Sequence, residues 1–291
     1  MSANAPSASP RTAFVFAGGG SLGAVQVGML QALTDHGARP DLVVGASAGA
    51  INAAYFAANP TSAGVAALDR LWRGLTRQQV MPMRLRDLLR IVLQRDYVVD
   101  PAGLRRLLEQ LVRQVVLEQA TIPMHVVATD MLLGHETLLS SGPVVDAVLA
   151  SAAIPGVFPP VRIGGRDLID GGVANNTPIS SAIALGATRV VVLPTGFACA
   201  LRRMPMSAIG RALHALSLLV ARQLVHDIER FGRDVTLHVV PPLCPVDTSP
   251  YDYSASSSLI DRASQSTHEW IREGGLETAH GVPHQMNEHH H

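Results

Sequence analysis

Residues 12–17 (TAFVFA) form an unbroken run of β-branched, aromatic and small apolar residues that stops at Gly18-Gly19-Gly20. A short apolar run closed by turn residues predicts a strand buried on both faces. From residue 22 to residue 36 the apolar positions fall at helical spacing, with Gly37 as the stop. Residues 42–44 read as a second buried strand, which enters Gly45-Ala46-Ser47-Ala48-Gly49 and an Ala-rich helix ending near residue 58. Strand, helix, strand, helix is the rhythm of a parallel sheet with right-handed crossovers. Residues 62–119 predict three helices and no strand. Strands resume at 125–129 and 136–139, and a helix over 144–152 is ended by Ile154-Pro155. A short strand at 167–169 enters Asp170-Gly171-Gly172, 188–193 is a strongly apolar strand, 206–231 a long helix and 235–240 a last strand. Beyond Pro241 the chain is Pro/Ser-rich, then helical over 256–273. With no internal repeat and no clean linker, the expected organisation has four parts. A disordered lead-in covers 1–11, and one domain covers 12–245 with a helical insertion at about 62–119. A C-terminal extension packed on the same domain covers 246–287, and 288–291 resembles the end of an expression tag.

Composition narrows the function classes. The chain has 291 residues, 47% hydrophobic and 16% charged, which provides for a substantial core and excludes a wholly disordered chain. Lys+Arg and Asp+Glu are both 23, so there is no basic excess to support a nucleic-acid partner. Every one of those cations is Arg, which excludes a Lys base or a Schiff base. Cys199 and Cys244 cannot make a disulfide-rich scaffold, and neither has zinc-ligand spacing, so no metal or cofactor is expected. The N-terminal dozen residues lack the basic and apolar regions of a signal peptide. No stretch of about 18 uncharged apolar residues occurs, so no membrane span is expected and the expected location is cytoplasmic.

The balanced charge is unevenly placed. Residues 70–95 carry Arg70, Arg73, Arg77, Arg84, Arg86, Arg90 and Arg95 against Asp87, interleaved with Met81, Met83, Leu85 and Leu88. Such a segment is either a helical insertion with a solvated Arg face or an interfacial helix touching a membrane at its periphery. The tail from 246 onward is acidic, with Asp247, Asp252, Asp261, Glu269, Glu273, Glu277 and Glu288 against Arg262 and Arg272. The two patches can dock on each other or leave the basic one free for anionic lipid.

Three motifs carry chemistry. Gly45-Ala46-Ser47-Ala48-Gly49 fits G-x-S-x-G, in which a Ser stands on a strained strand-to-helix turn flanked by residues without Cβ. Gly18-Gly19-Gly20-Ser21-Leu22-Gly23 also follows a strand and opens a helix. That construction serves either a dinucleotide pyrophosphate or an oxyanion. A dinucleotide site wants an acidic residue at the end of the next strand, where Ser47 stands instead, so the oxyanion reading is favoured. Asp170 ends a short apolar strand before Gly171-Gly172; burial would strengthen it as a base. His125, His135, His214, His226, His238 and His268 sit in no evident strand-end glycine turn.

GGGSLG at 18–23, GASAG at 45–49, the run 151–160 (SAAIPGVFPP) and DGG at 170–172, in that order, resemble the patatin-like phospholipases of short bacterial type. The likeness spans about residues 12–195. It implies an α/β fold: a three-layer α/β/α sandwich with a mostly parallel central sheet, related to the cytosolic phospholipase A2 catalytic domain. It implies a dyad without His, with Ser47 as nucleophile and Asp170 as base. The oxyanion hole would lie in the loop Gly18, Gly19, Gly20, Ser21 and Gly23, with donors at Gly19, Gly20 and Ser21. Gly45 and Gly49 would shape the nucleophile elbow, and Gly171 and Gly172 the loop after the base. Asn175-Asn176-Thr177-Pro178 would give loop support. Position 22, often basic in the family, is Leu22, so any helping cation must be an Arg from elsewhere. The implied activity is serine acyl hydrolysis of a lipid or other acyl ester through an acyl-enzyme. The rival readings are an esterase triad using His238 or His268, and a non-catalytic nucleotide-binding or regulatory protein using the glycine loop.

Overall fold

The structure, a computed structural model, describes residues 10–81, 99–112, 116–196, 208–244, 246 and 248–278. The first strand β1 (Thr12–Phe16) is followed by a 3-10 turn at Gly20–Leu22 and helix α1 (Gly23–Asp35). Then come β2 (Leu42–Ala46), α2 (Ala48–Ala58), α3 (Ser62–Gly74), the short α4 (Arg77–Val80) and α5 (Ala102–Leu111). β3 (Met124–Asp130), β4 (Glu136–Leu139), α6 (Val144–Ser151), β5 (Val161–Ile163) and β6 (Arg166–Asp170) make the middle. α7 (Gly172–Asn175), α8 (Ile179–Ala184), β7 (Arg189–Leu193), α9 (Ala208–Phe231), β8 (Thr236–Val239) and α10 (Ser256–Arg272) complete it.

The strands form one sheet in the order β5-β6-β3-β2-β1-β7-β8, with β4 also paired to β3. β8, β7, β1, β2 and β3 are mutually parallel; β4, β5 and β6 run antiparallel to their neighbours. Alternation along β1 divides the core between two faces. Phe14 and Phe16 enter one cluster with α1, α2, α3, α5, α6 and α10, whereas Ala13 and Val15 enter another with α8 and α9. This is the expected three-layer α/β/α sandwich with a mostly parallel central sheet.

The junction at β3 positions the site. β2 pairs with residues 124–127 of β3, and β6 pairs with residues 128–130. β4 spans both stretches on the opposite edge, pairing with 126–129. A strand has two edges, so β2 and β6 share one. β2 climbs it to Ala46 opposite Val127, and β6 descends it to Asp170 opposite Ala128. The two strands therefore meet end to end at neighbouring residues of β3.

The hydrophobic pattern located β1, β2, β3, β4, β7, β8, α1, α2, α6, α9 and α10 closely. It missed β5, too short at three residues to show a period, and the short helices α7 and α8, which follow a Gly pair and a Pro. The helical insertion is represented by α3, α4, α5 and a 3-10 turn at Leu117–Gln119, while Val116 forms an isolated bridge with Pro143. The helix expected from 206 begins at Ala208 among the described residues. Most of the basic stretch, including Arg84, Arg86, Arg90 and Arg95, lies outside them.

Candidate active site

Ser47 occupies the turn between β2 and α2 with φ 52° and ψ −125°. It is the only non-glycine residue with positive φ among the described residues. Such a backbone costs about 1–3 kcal/mol and persists where the surroundings fix it. Here the flanking glycines are what allow it. A Cβ at Gly49 would lie 2.4 Å from the Phe16 carbonyl oxygen, and one at Gly45 would lie 2.7 Å from the Gly49 carbonyl oxygen. The Ser47 N–H donates to Ser151 Oγ at 2.8 Å, and Ser151 Oγ donates to the Val127 carbonyl at 2.5 Å. Ser151 thus ties the elbow to β3.

The end-to-end junction brings Asp170 to this serine. Ser47 Oγ donates to Asp170 Oδ2 at 2.6 Å, and both residues are buried. The other carboxylate oxygen, Oδ1, accepts the Gly172 N–H at 2.8 Å. Thr129 Oγ1 donates to the Asp170 carbonyl at 2.8 Å, and Gly171 N–H donates to the Ser151 carbonyl at 3.0 Å. Burial raises the Asp170 carboxyl to about 6, against the opposing pull of hydrogen bonds from Ser47 and Gly172. The group is still mostly ionised at neutral pH, and it holds a proton more strongly than a solvated carboxylate does.

The histidines have other engagements. His125 Nδ1 pairs with Ser140 Oγ, His238 Nδ1 with the Gly275 carbonyl, and His268 Nδ1 with the Ser264 carbonyl. His268 also faces Asp35 at 3.4 Å. His135 and His226 are exposed, and the side chain of His214 lies outside the described residues.

The glycine loop lies beside the elbow, and its hydrogen bonds correct the expected donor set. Gly18 N–H donates to the Asn176 carbonyl at 3.0 Å, Ser21 N–H to the Pro250 carbonyl at 2.8 Å, and Gly23 N–H to the Gly20 and Ser21 carbonyls. These three N–H groups are committed. Those of Gly19 and Gly20 have no acceptor among the described residues. The Gly18 carbonyl is fixed by Thr195 Oγ1 at 2.6 Å and Asn176 Nδ2 at 3.4 Å. Asn176 thus supports the loop as expected of the 175–178 segment, while Thr195 carried no sequence signal.

Sequence reasoning also missed a buried polar chain beneath the loop. Gln26 Nε2 donates to the carbonyls of Ala17 and Leu193, Asn52 Nδ2 donates to Gln26 Oε1 and the Gly23 carbonyl, and Trp72 Nε1 donates to Asn52 Oδ1. Every member is satisfied, which lets polar groups sit at the core without the cost of lost hydration. Trp72 then forms part of an apolar pocket that includes Ser47, Gly20, Ile51, Leu75, Leu104 and Phe158. Tyr253 stacks on Trp72 with ring centroids 6.3 Å apart and closes one side of the pocket.

The C-terminal segment therefore reaches the loop itself. Besides the Pro250 contact, Ser21 Oγ donates to the Ser249 carbonyl at 3.1 Å. Tyr251 lies close enough for the Asp170 charge, after burial, to help push its phenol up. The acidic and basic patches of the sequence meet at one described point, where Arg73 contacts Asp69 at 2.9 Å and Asp261 at 2.5 Å. Among the described residues no group of three His, Cys, Asp or Glu side chains could hold a metal ion. No described helix is long and apolar enough to cross a membrane.

Known proteins resemble this chain in sequence and in fold. The family profile described as patatin-like phospholipase matches residues 14–183. An uncharacterized NTE family protein of Mycobacterium tuberculosis is 32% identical over 196 residues, covering 64% of this chain and 49% of that protein. The rat (Rattus norvegicus) patatin-like phospholipase domain-containing protein 7 is 26% identical over 186 residues, 63% of this chain and 13% of the relative. The chain thus spans about half the length or less of these curated relatives. Among solved structures, VipD from Legionella pneumophila superposes with a TM-score of 0.51 at 16% identity, over 97% of this chain and 68% of that one, a likeness of fold.

Proposed function

The chain belongs to the patatin-like phospholipase family, and on that premise we propose that it is a serine acyl hydrolase acting on lipid esters through Ser47 and Asp170. The observation that carries this reading is the 2.6 Å hydrogen bond from Ser47 Oγ to a buried Asp170 whose carboxyl is raised to about 6. Ser47 Oγ attacks the ester carbonyl while Asp170 Oδ2 takes its proton. The resulting oxyanion is held by the N–H groups of Gly19 and Gly20, the two in the loop with no acceptor among the described residues. The tetrahedral intermediate collapses to an acyl-Ser47 ester, and Asp170 returns the proton to the departing alcohol. Water then enters, gives its proton to Asp170 and attacks the acyl-enzyme; a second collapse frees the fatty acid and restores Ser47. The pocket bordered by Ile51, Leu75, Leu104 and Phe158 is suited to an acyl chain, since its wall is apolar right up to the nucleophile.

No cofactor or metal enters this cycle. The triad alternative is not favoured, because His238 and His268 are engaged with Gly275, Ser264 and Asp35. The direct test is labelling by a fluorophosphonate probe, followed by hydrolysis of acyl esters of graded chain length. Labelling is expected in the wild type and absent in Ser47→Ala. Persistent labelling of that variant, or full hydrolysis by Asp170→Asn, would overturn the assignment.

A further inference from the structure

Large apolar side chains are exposed at few places among the described residues. One of them is the turn from β3 to β4: Met131 is 55% exposed, Leu132 87% and Leu133 67%. Val173, at the start of α7, is a fourth, at 47%. Consecutive exposed apolar residues on a turn lose free energy in water, and polar residues normally occupy such tips.

The turn is built so that these side chains stay outward. Asp130 Oδ1 accepts the N–H groups of Leu132 and Leu133, both at 3.0 Å. The Asp130 N–H donates to the His135 carbonyl, the Met131 N–H to the Asp167 carbonyl and the Gly134 N–H to the Asp130 carbonyl. Every backbone N–H from 130 to 134 therefore has an acceptor inside the protein. A turn with free amides would have to strip water from them on entering a medium that offers no acceptors, and this turn does not. That property separates a lipid from a protein partner, which could supply acceptors of its own.

Placement and charge point the same way. β3 runs parallel to β2, so its far end lies at the edge of the sheet where Ser47 stands. Leu132 is four residues beyond Ala128, the residue opposite Asp170, and so at most about 13 Å from it along the strand direction. The β5–β6 hairpin adjoins the tip through Met131 and Asp167 and carries two arginines. Arg162 is paired with Asp167 at 3.3 Å, whereas the exposed Arg166 has no ion-pair partner among the described residues. Asp130 is buried beneath the turn, its Oδ1 spent on the Leu132 and Leu133 amides.

We propose that Met131, Leu132 and Leu133, with Arg166 at their flank and Val173 on α7, which is tied to β3 by the Ala174 N–H donating to Thr129 Oγ1 at 3.1 Å, insert into the surface of an anionic phospholipid membrane. They would do so at the edge of the sheet that carries Ser47 and Asp170. The proposal rests on the lipid-ester reading for its choice of partner, and it says where lipid and protein meet. It is separate from the basic stretch of the insertion, most of which lies outside the described residues.

The test is co-sedimentation of the full chain with vesicles of equimolar phosphatidylcholine and phosphatidylglycerol. In parallel, hydrolysis of a water-soluble short-chain ester reads the state of the site. The wild type and Ser47→Ala are expected to bind equally, so binding is read whether or not the chain is a hydrolase. Leu132→Ser/Leu133→Ser is expected to weaken binding by roughly 100-fold, because two leucines no longer leave water, with ester hydrolysis unchanged. Leu132→Phe/Leu133→Phe should retain binding, which guards against a folding defect in the serine variant. Arg166→Gln should weaken binding to anionic vesicles and leave the weaker binding to pure phosphatidylcholine unaltered. Wild-type binding by the double serine variant, or no binding by the wild type, would overturn the proposal. So would a dimer that the serine variant dissolves, which would make the tip a contact between copies of the chain.

Discussion

Two regions converge on Ser47, and they hold their residues in different ways. The floor of the site is the junction of β2, β3 and β6, where ladder registers and main-chain hydrogen bonds fix Ser47 and Asp170. The C-terminal region is a strap, residues 248–255, anchored by α10. It touches the glycine loop through the carbonyls of Ser249 and Pro250 and borders the pocket with Tyr253. The floor lies within the stretch that matches the family profile, and the strap lies beyond it. The difference implies a division of labour in the proposed reaction: the dyad on a floor that the family profile covers, and loop and pocket shape contributed by a segment that it does not cover.

The sharpest way to break this division is to compare variants of the two regions. Asp170→Asn should lower kcat/KM by about 10³-fold, the usual worth of a general base. In the wild type, activity should fall as pH drops below about 6, where Asp170 becomes protonated. A flat profile from pH 5 to 8 would remove Asp170 from the mechanism and leave the floor with a structural role only.

Stability supplies the next contrast, with its sign fixed by the raised carboxyl. In the unfolded chain Asp170 titrates at its ordinary value of 3.8, and in the fold at about 6. Between those values the folded state keeps a proton that the unfolded state has lost, so stability falls as pH rises from 3.8 to 6. Above 6 the penalty is constant, at about 3 kcal/mol or less for a shift of this size. Asp170→Asn should therefore unfold at a higher temperature than wild type at pH 8, with the advantage fading toward pH 4. Calorimetry at both pH values reads this, and an unchanged difference would show that burial does not strain the carboxylate.

Two further variants address the strap. A Cβ at Gly28 would lie 2.3 Å from the Ile260 carbonyl oxygen, so α1 and α10 meet backbone to backbone. Gly28→Val should cost about 1–3 kcal/mol by overpacking and lower activity by loosening the strap, even though residue 28 is remote in sequence from every motif of the floor. Full activity in a destabilised Gly28→Val protein would show that the strap is not needed. The smallest effect on activity is expected for Tyr253→Ala. Losing a buried ring that stacks on Trp72 should cost about 3 kcal/mol of stability and raise KM for long-chain esters more than for short ones. Equal change across chain lengths would take Tyr253 out of the acyl pocket.

The same two regions show what the sequence reveals. GASAG, GGGSLG and DGG were legible because sharp turns and close approaches exclude side chains, and that leaves glycines behind. The strand–helix rhythm implied a parallel sheet with crossovers, and the three-layer sandwich came with the family resemblance. Which strand edge β6 would take was not legible, since a short apolar run before Asp170 carries no direction. The glycine loop was legible, but the occupation of the Ser21 N–H by the Pro250 carbonyl was not, since any residue carries such a carbonyl. In the sequence Ser151 stands out only as part of a family-like run, although its hydroxyl ties the elbow to β3. The chain Gln26–Asn52–Trp72 was invisible because its members are scattered over 46 positions and come together only in the fold.

The shared edge of β3 makes the distance between Ser47 and Asp170 a matter of counting. Val127 and Ala128 act as adjacent marks on a ruler, one setting where β2 stops and the other where β6 stops. Slipping β6 by a single residue would set Ile169 in place of Asp170 and turn the carboxylate toward the opposite face. Lengthening the β5–β6 turn leaves the marks untouched, whereas one residue added to β3 between 127 and 128 would move them apart. Such a chain would keep each motif of the dyad letter for letter while the pair itself no longer closed.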